Sequence, residues 1–87
     1  MKTIWKYPLE VTDEQTIMVP KGGRLLTVQV QNGVPCLWAL VDPVAVKEPR
    51  TLYTYGTGHP VGVATAHLGS YQLDNGLLVF HVFSDYE

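Results

Sequence analysis

A single cysteine, Cys36, stands in a chain of 87 residues. No internal disulfide can form, and no Cys/His pair has the spacing of a zinc finger. Charge is also sparse: Asp, Glu, Lys and Arg supply 16% of the residues, where a typical globular chain has about 25%. The six basic residues are scattered (Lys2, Lys6, Lys21, Arg24, Lys47, Arg50) and the net charge is −2. A basic stripe is therefore missing, which argues against binding of duplex DNA or RNA. No apolar run approaches membrane-spanning length, and the N-terminus lacks a signal-peptide core. With one free thiol, the expected compartment is a reducing cytoplasm. No segment sustains a helical apolar period, which argues against a helix bundle.

What the chain does have is alternation. Two apolar runs flank Gln31-Asn32-Gly33-Val34, and Asn-Gly is the strongest short-range hairpin signal. A two-residue turn pairs Gln31 with Val34, Val30 with Pro35, Val28 with Leu37 and Leu26 with Ala39. The opposite face then carries Leu25, Thr27, Gln29, Cys36, Trp38 and Leu40. A second hairpin is expected around Asp74-Asn75-Gly76: a turn at Asn75-Gly76 puts Tyr71 opposite Phe80 and Leu73 opposite Leu78, whereas a three-residue loop with a bulge slips that register. Further strands are expected over residues 3–9, 16–19, 51–55 and 61–68, with 44–49 as a loop. The expectation is one all-β domain spanning 1–87, a small two-sheet sandwich or flattened barrel of about seven short antiparallel strands.

Both faces of the first hairpin are largely apolar, and a domain this small has one core side to bury. A chain of this size is also marginal unless something adds stability. A homo-oligomer with Leu25, Trp38 and Leu40 at its interface is expected on these grounds.

One stretch concentrates recognition chemistry. Gly56-Thr57-Gly58-His59-Pro60 is a glycine-spaced loop that could bring backbone N–H groups close to a ligand. Thr57 adds a hydroxyl, and His59 a donor, an acceptor or a switchable charge. Tyr53 and Tyr55 lead into it as aromatic faces, and Arg50 offers a cation for a phosphate. Together Arg50, Tyr53, Tyr55, Thr57, Gly58 and His59 form a candidate pocket for a small anionic nucleotide. The same loop also fits an ordinary turn with His59 exposed. His59, His67 and His81 invite a metal reading, but their spacings match no strong motif, and neither a metal nor a cofactor is expected. Cys36 alternates with Trp38 and Leu40 and reads as apolar filling rather than a nucleophile. No catalytic residues are assigned.

The strings KTIWKYPL, VQVQNGVPCLWALVDP, GTGHP and LLVFHVF together resemble a family of small proteins of unknown function from phages and bacteria. That resemblance implies a phage or prophage source and a place in the host cytoplasm. By analogy with other small phage proteins, it implies a role against host defence. The function expected is sequestration of a small nucleotide immune signal, a cyclic dinucleotide or a cyclic ADP-ribose isomer, without turnover. The alternatives are a protein-interaction module that inhibits a host protein or serves phage assembly, and a phosphodiesterase or nuclease acting on such a signal.

Overall fold

The computed structural model describes residues 1–86. Among them seven strands follow in order: β1 Thr3–Pro8, β2 Glu14–Pro20, β3 Arg24–Gln31, β4 Val34–Val41, β5 Lys47–Gly56, β6 Ala66–Leu73 and β7 Leu78–Ser84. They form two antiparallel sheets, one ordered β1-β4-β3 and the other β2-β5-β7-β6. The fold is all-β as expected, and of the two architectures considered it is the sandwich, since the sheets do not close into a barrel.

The Asn-Gly hairpin forms where the sequence puts it. Asn32 and Gly33 both have positive φ, 51° and 80°, the signature of a type I′ turn whose twist suits an antiparallel pair. Gln31, Val30 and Val28 face Val34, Pro35 and Leu37, as the turn dictates. Beyond Thr27 the register shifts, so that Leu25, and not Leu26, lies opposite Ala39. The cause is a β-bulge, an extra residue that turns the strand's later side chains to the other face. The second hairpin pairs Tyr71 with Phe80 and Leu73 with Leu78, and carries its own bulge between His67 and Gly69.

Strand boundaries differ from expectation by one or two residues in β1 and β2, and by more in β5 and β6. Residues 61–65 are not strand, and β6 begins at Ala66 and runs unbroken through Gly69. Lys47–Pro49, expected as loop, extends β5, where Pro49 sits opposite Met18. Proline fits there because β7 pairs with β5 only from Leu52 onward, so no neighbour asks for the missing N–H.

The core lies between the sheets. Val28, Leu37, Ala39 and Val41 from one meet Val19, Leu52, Tyr71 and Val82 from the other, with Leu9 at the side. Alternation explains the choice, because these residues occupy every second position of their strands. Full burial of a residue such as Leu52 contributes about 2 kcal/mol.

The sheets adjoin along β3 and β6. At Gly69 a Cβ would fall 2.9 Å from the Val28 carbonyl oxygen and 3.1 Å from its nitrogen. Only a residue without a side chain lets the two backbones come this close. Both bulges are in these two strands, and bulges bend the strand that carries them. On the opposite side the Tyr7 hydroxyl donates to the Met18 carbonyl at 3.0 Å, linking β1 to β2.

The residues expected at an interface do not share a face. The bulge turns Leu25 inward, where it packs against the core. Trp38 and Leu40 stay outside, paired with Lys6 and Ile4 of β1. Trp38 and Leu40 are half-buried, whereas Ile4 is 57% exposed.

Candidate polar and aromatic face of the four-stranded sheet

Alternation along β5 splits the sequence-derived site. Arg50, Leu52 and Thr54 point inward and are buried, while Tyr53 and Tyr55 point outward and are half-buried. Arg50 is also six positions before Gly56 on an extended strand, roughly 20 Å at 3.3 Å per residue. The six candidates therefore do not line one pocket.

Arg50 has a structural post. It is 4% exposed. Its Nη2 donates to the Tyr86 carbonyl at 2.8 Å, its Nε to Asp85 Oδ1 at 3.4 Å and its Nη1 to the Gly23 carbonyl at 3.5 Å. Its guanidinium lies 3.9 Å from the centre of the Tyr86 ring. Asp85 Oδ2 accepts the Thr51 N–H at 3.0 Å. The Tyr86 hydroxyl donates to Glu48. Desolvation, reinforced by that hydrogen bond, raises the Tyr86 phenol above its ordinary value, and the Arg50 charge opposes the rise. These contacts clasp Asp85 and Tyr86 to β5. A recess of about 190 Å³ beside Arg50 lies on the β3/β6 seam, bordered by Leu25, Leu68 and Tyr86.

The glycine loop forms a tight turn. The His59 N–H donates to the Gly56 carbonyl at 3.1 Å, and Gly58 has φ of +86°. Positive φ at the third position defines a type II turn and accounts for glycine there. The His59 imidazole folds over Gly56, where a Cβ would be 3.0 Å from the ring. His59 borders a recess of about 380 Å³ with Asp13, Thr54, Tyr55 and Pro60, at one end of the sandwich.

Thr57 and Tyr55 enter a different grouping, on the outer face of the four-stranded sheet. Thr57 Oγ1 is 2.7 Å from His81 Nε2. His81 Nδ1 is 2.8 Å from Ser70 Oγ, and Ser70 Oγ is 3.3 Å from His67 Nε2. The contacts can all be satisfied in either direction: His67 to Ser70, Ser70 to His81 Nδ1 and His81 Nε2 to Thr57, or the reverse with Thr57 donating to His81 Nε2, His81 Nδ1 to Ser70 and Ser70 to His67. Aromatic rings flank this chain. Tyr55 meets Phe83 edge-on with centroids 6.0 Å apart, and His67 lies 5.2 Å from Phe83. Tyr53 is directly opposite Phe83 on the neighbouring strand. The Tyr55 hydroxyl accepts the Val63 N–H at 2.8 Å, which ties the β5–β6 loop to this face.

Register explains the grouping. Tyr55 opposes His81, and His81 opposes Ser70 across the next ladder. Residues directly opposite share a face, so β5, β7 and β6 each add one polar or aromatic group to a single row. Ser70 and Phe83 were not among the candidates read from sequence, and His67 and His81 were weighed there, with His59, as metal ligands. The second hairpin alone would have placed Ser70 opposite His81, but nothing local in the sequence sets β7 beside β5. Among the described residues, no three His, Cys, Asp or Glu side chains converge as a metal site.

Fold and site together define a class: a two-sheet antiparallel β-sandwich that displays a hydrogen-bonded histidine–hydroxyl row between aromatic rings on one sheet face. The chain itself belongs to the family described as Domain of unknown function (DUF7352), whose match covers residues 1–87. No curated protein and no solved structure matches it. Among the described residues no helix is long and apolar enough to cross a membrane.

Proposed function

We propose that this chain binds a small anionic nucleotide on the outer face of its four-stranded sheet and holds it without turnover. The observation that carries this reading is the Thr57–His81–Ser70–His67 row beside Tyr55 and Phe83. A nucleotide presents a flat base, a sugar and a phosphate. It needs aromatic surface and several hydrogen-bonding groups within one patch, and this row supplies both from three adjacent elements. Sequestration asks only for affinity, so a catalytic centre is not required.

The wider setting belongs to the same proposal: a phage-encoded protein acting against host defence in the host cytoplasm, its ligand a cyclic dinucleotide or a cyclic ADP-ribose isomer. Its support is the resemblance of the four sequence strings and the analogy drawn from it. We further propose a homo-oligomer formed through the outer face of the three-stranded sheet, where Trp38, Leu40 and Ile4 present apolar surface.

A second reading rests on one contact. Ser70 Oγ is 2.8 Å from His81 Nδ1, and Thr57 holds the other ring nitrogen. Nucleophile, base and orienting group in that order are also what a hydrolase uses. One experiment separates the two. The purified protein is titrated by calorimetry with cyclic di-AMP, cyclic ADP-ribose, cyclic AMP and adenosine. The complexes are then heated, and the released ligand is analysed by chromatography. Ligand returned intact supports sequestration, and cleaved ligand supports the hydrolase. No binding by any member of the panel rejects the nucleotide reading.

A further inference from the structure

Residues 51–87 contain neither lysine nor arginine. Every residue of β6, of β7 and of the loop joining β5 to β6 lies in that stretch, so any positive charge these elements present comes from His59, His67 or His81. Arg50, the cation nearest in sequence, is buried and engaged with Asp85 and the Tyr86 carbonyl. Lys47 sits over the Trp5 ring at 5.5 Å, and Lys6 donates to Gln31 on the other sheet.

We infer that His67 and His81, with the hydroxyls of Ser70 and Thr57, form a phosphodiester subsite in which the imidazoles supply the charge. This rests on the nucleotide reading above and deepens it by assigning the phosphate to the row and the base to Tyr55 and Phe83. Three features carry the assignment. The four polar side chains are already linked through contacts of 2.7, 2.8 and 3.3 Å, so an oxyanion placed over Ser70 is within reach of both imidazoles. Ser70, Thr57 and His67 are exposed and His81 is half-buried, so the row is open to a ligand. A phosphate oxygen accepts only, and protonation of an imidazole makes both ring nitrogens donors.

Among the described residues, the register also places on this face Tyr53 and Tyr55 of β5, Glu14 of β2 opposite Tyr53, and Lys47 at the far end of β5 opposite Pro20. His59 lies at the end of the sandwich beside Gly56. Glu14 is separated from the row by the width of β5, which lies between β2 and β7. Histidine is the side chain whose ordinary titration falls between pH 5 and 8. A phosphodiester keeps one negative charge across that range. Binding of a phosphodiester should therefore tighten on acidification through the imidazoles alone.

Cyclic AMP and adenosine are the probes, followed by NMR titration of the full chain at about pH 6 and about pH 8. Cyclic AMP is expected to bind roughly tenfold or more tighter than adenosine at the lower pH, the scale of one charged hydrogen bond. The gap should narrow at the higher pH. His81→Gln and His67→Gln keep a polar side chain but remove the charge. They should erase the gap, so that each variant binds cyclic AMP no tighter than adenosine, with backbone amide shifts outside the row confirming the fold. Equal affinity for the two probes, or a gap that survives in both variants, overturns the subsite while adenosine binding keeps the nucleotide reading alive. Failure of both probes to bind overturns both.

Discussion

Replacing Arg50 should damage the fold before it affects any ligand. Its guanidinium is enclosed, with 4% of the residue exposed. It holds the Tyr86 carbonyl at 2.8 Å, Asp85 at 3.4 Å and the Tyr86 ring at 3.9 Å. A hydrogen bond from a charged donor contributes about 1.5–3 kcal/mol, and breaking a buried ion pair costs about 3–5 kcal/mol. Here the Asp85 side chain is 25% exposed and retains the Thr51 N–H, so solvent screens part of the loss. For Arg50→Ala we expect about 3 kcal/mol of destabilisation, including the lost packing of the aliphatic stem. In a domain of this size each kcal/mol shifts Tm by about 4–8 °C, so the fall should be roughly 12–24 °C. Urea and thermal unfolding followed by tryptophan fluorescence and circular dichroism would measure it. Asp85→Asn should cost less, since the Tyr86 carbonyl and ring contacts survive. If Arg50→Ala unfolds within about 1 kcal/mol of the parent, the clasp is not a stabilising element, and the argument from burial and geometry fails.

Gly69→Ala should destabilise by about 1–3 kcal/mol in urea melts, because its Cβ meets Val28 backbone at 2.9 Å and neither strand can yield without moving a sheet. Gly33→Val should cost at least about 1–2 kcal/mol from positive φ alone, since nothing crowds that position; an unchanged urea midpoint would contradict the turn. Tyr71 is 4% exposed with a hydroxyl that has no partner among the described residues, so Tyr71→Phe should be neutral or stabilising by about 1 kcal/mol. Burial raises the Tyr71 phenol above its ordinary value of 10.0. Its contribution to stability is thus complete below about pH 10 and declines as pH rises further, and the Phe variant should lose less stability in alkaline melts. Sedimentation at micromolar concentration should show an oligomer that Leu40→Lys dissociates, and a monodisperse parent monomer would refute the interface.

Local chemistry carried the sequence reading a long way. Asn32-Gly33 set one hairpin register and Asp74-Asn75-Gly76 the other, because positive φ is written into those residue types. The reading failed where an extra residue enters a strand. Leu25-Leu26-Thr27 alternates no differently from an unbulged segment, and the bulge that turns Leu25 inward lies in the strand that meets β6, a neighbour far along the chain. Arg50 shows the same limit. Its charge suggested a ligand, yet its position on the inward-facing register of β5 gives it Asp85 and Tyr86 as partners. Of the candidate site, Tyr55 and Thr57 enter the row, whereas Ser70 and His81 joined it only once β5, β7 and β6 were known to lie side by side. Sequence spacing reports partners across a turn, and it is silent on which hairpin packs beside which strand.

The strand order also bears on how the molecule assembles in time. β3 and β4 are joined by two residues, and a hairpin of this kind closes in about 1–10 μs. β1 instead pairs with β4, Thr3 opposite Val41, and β2 with β5, Glu14 opposite Tyr53. Such distant pairings make all-β domains fold in milliseconds to seconds. A chain leaving the ribosome therefore exposes its first two strands well before their partners exist. Their exposed charged and proline positions, Lys6, Pro8 and Glu14, stand where a second nascent copy would otherwise pair with them. In the finished sandwich β1 and β2 remain edge strands, so the residues that guard them during synthesis continue to do so afterwards.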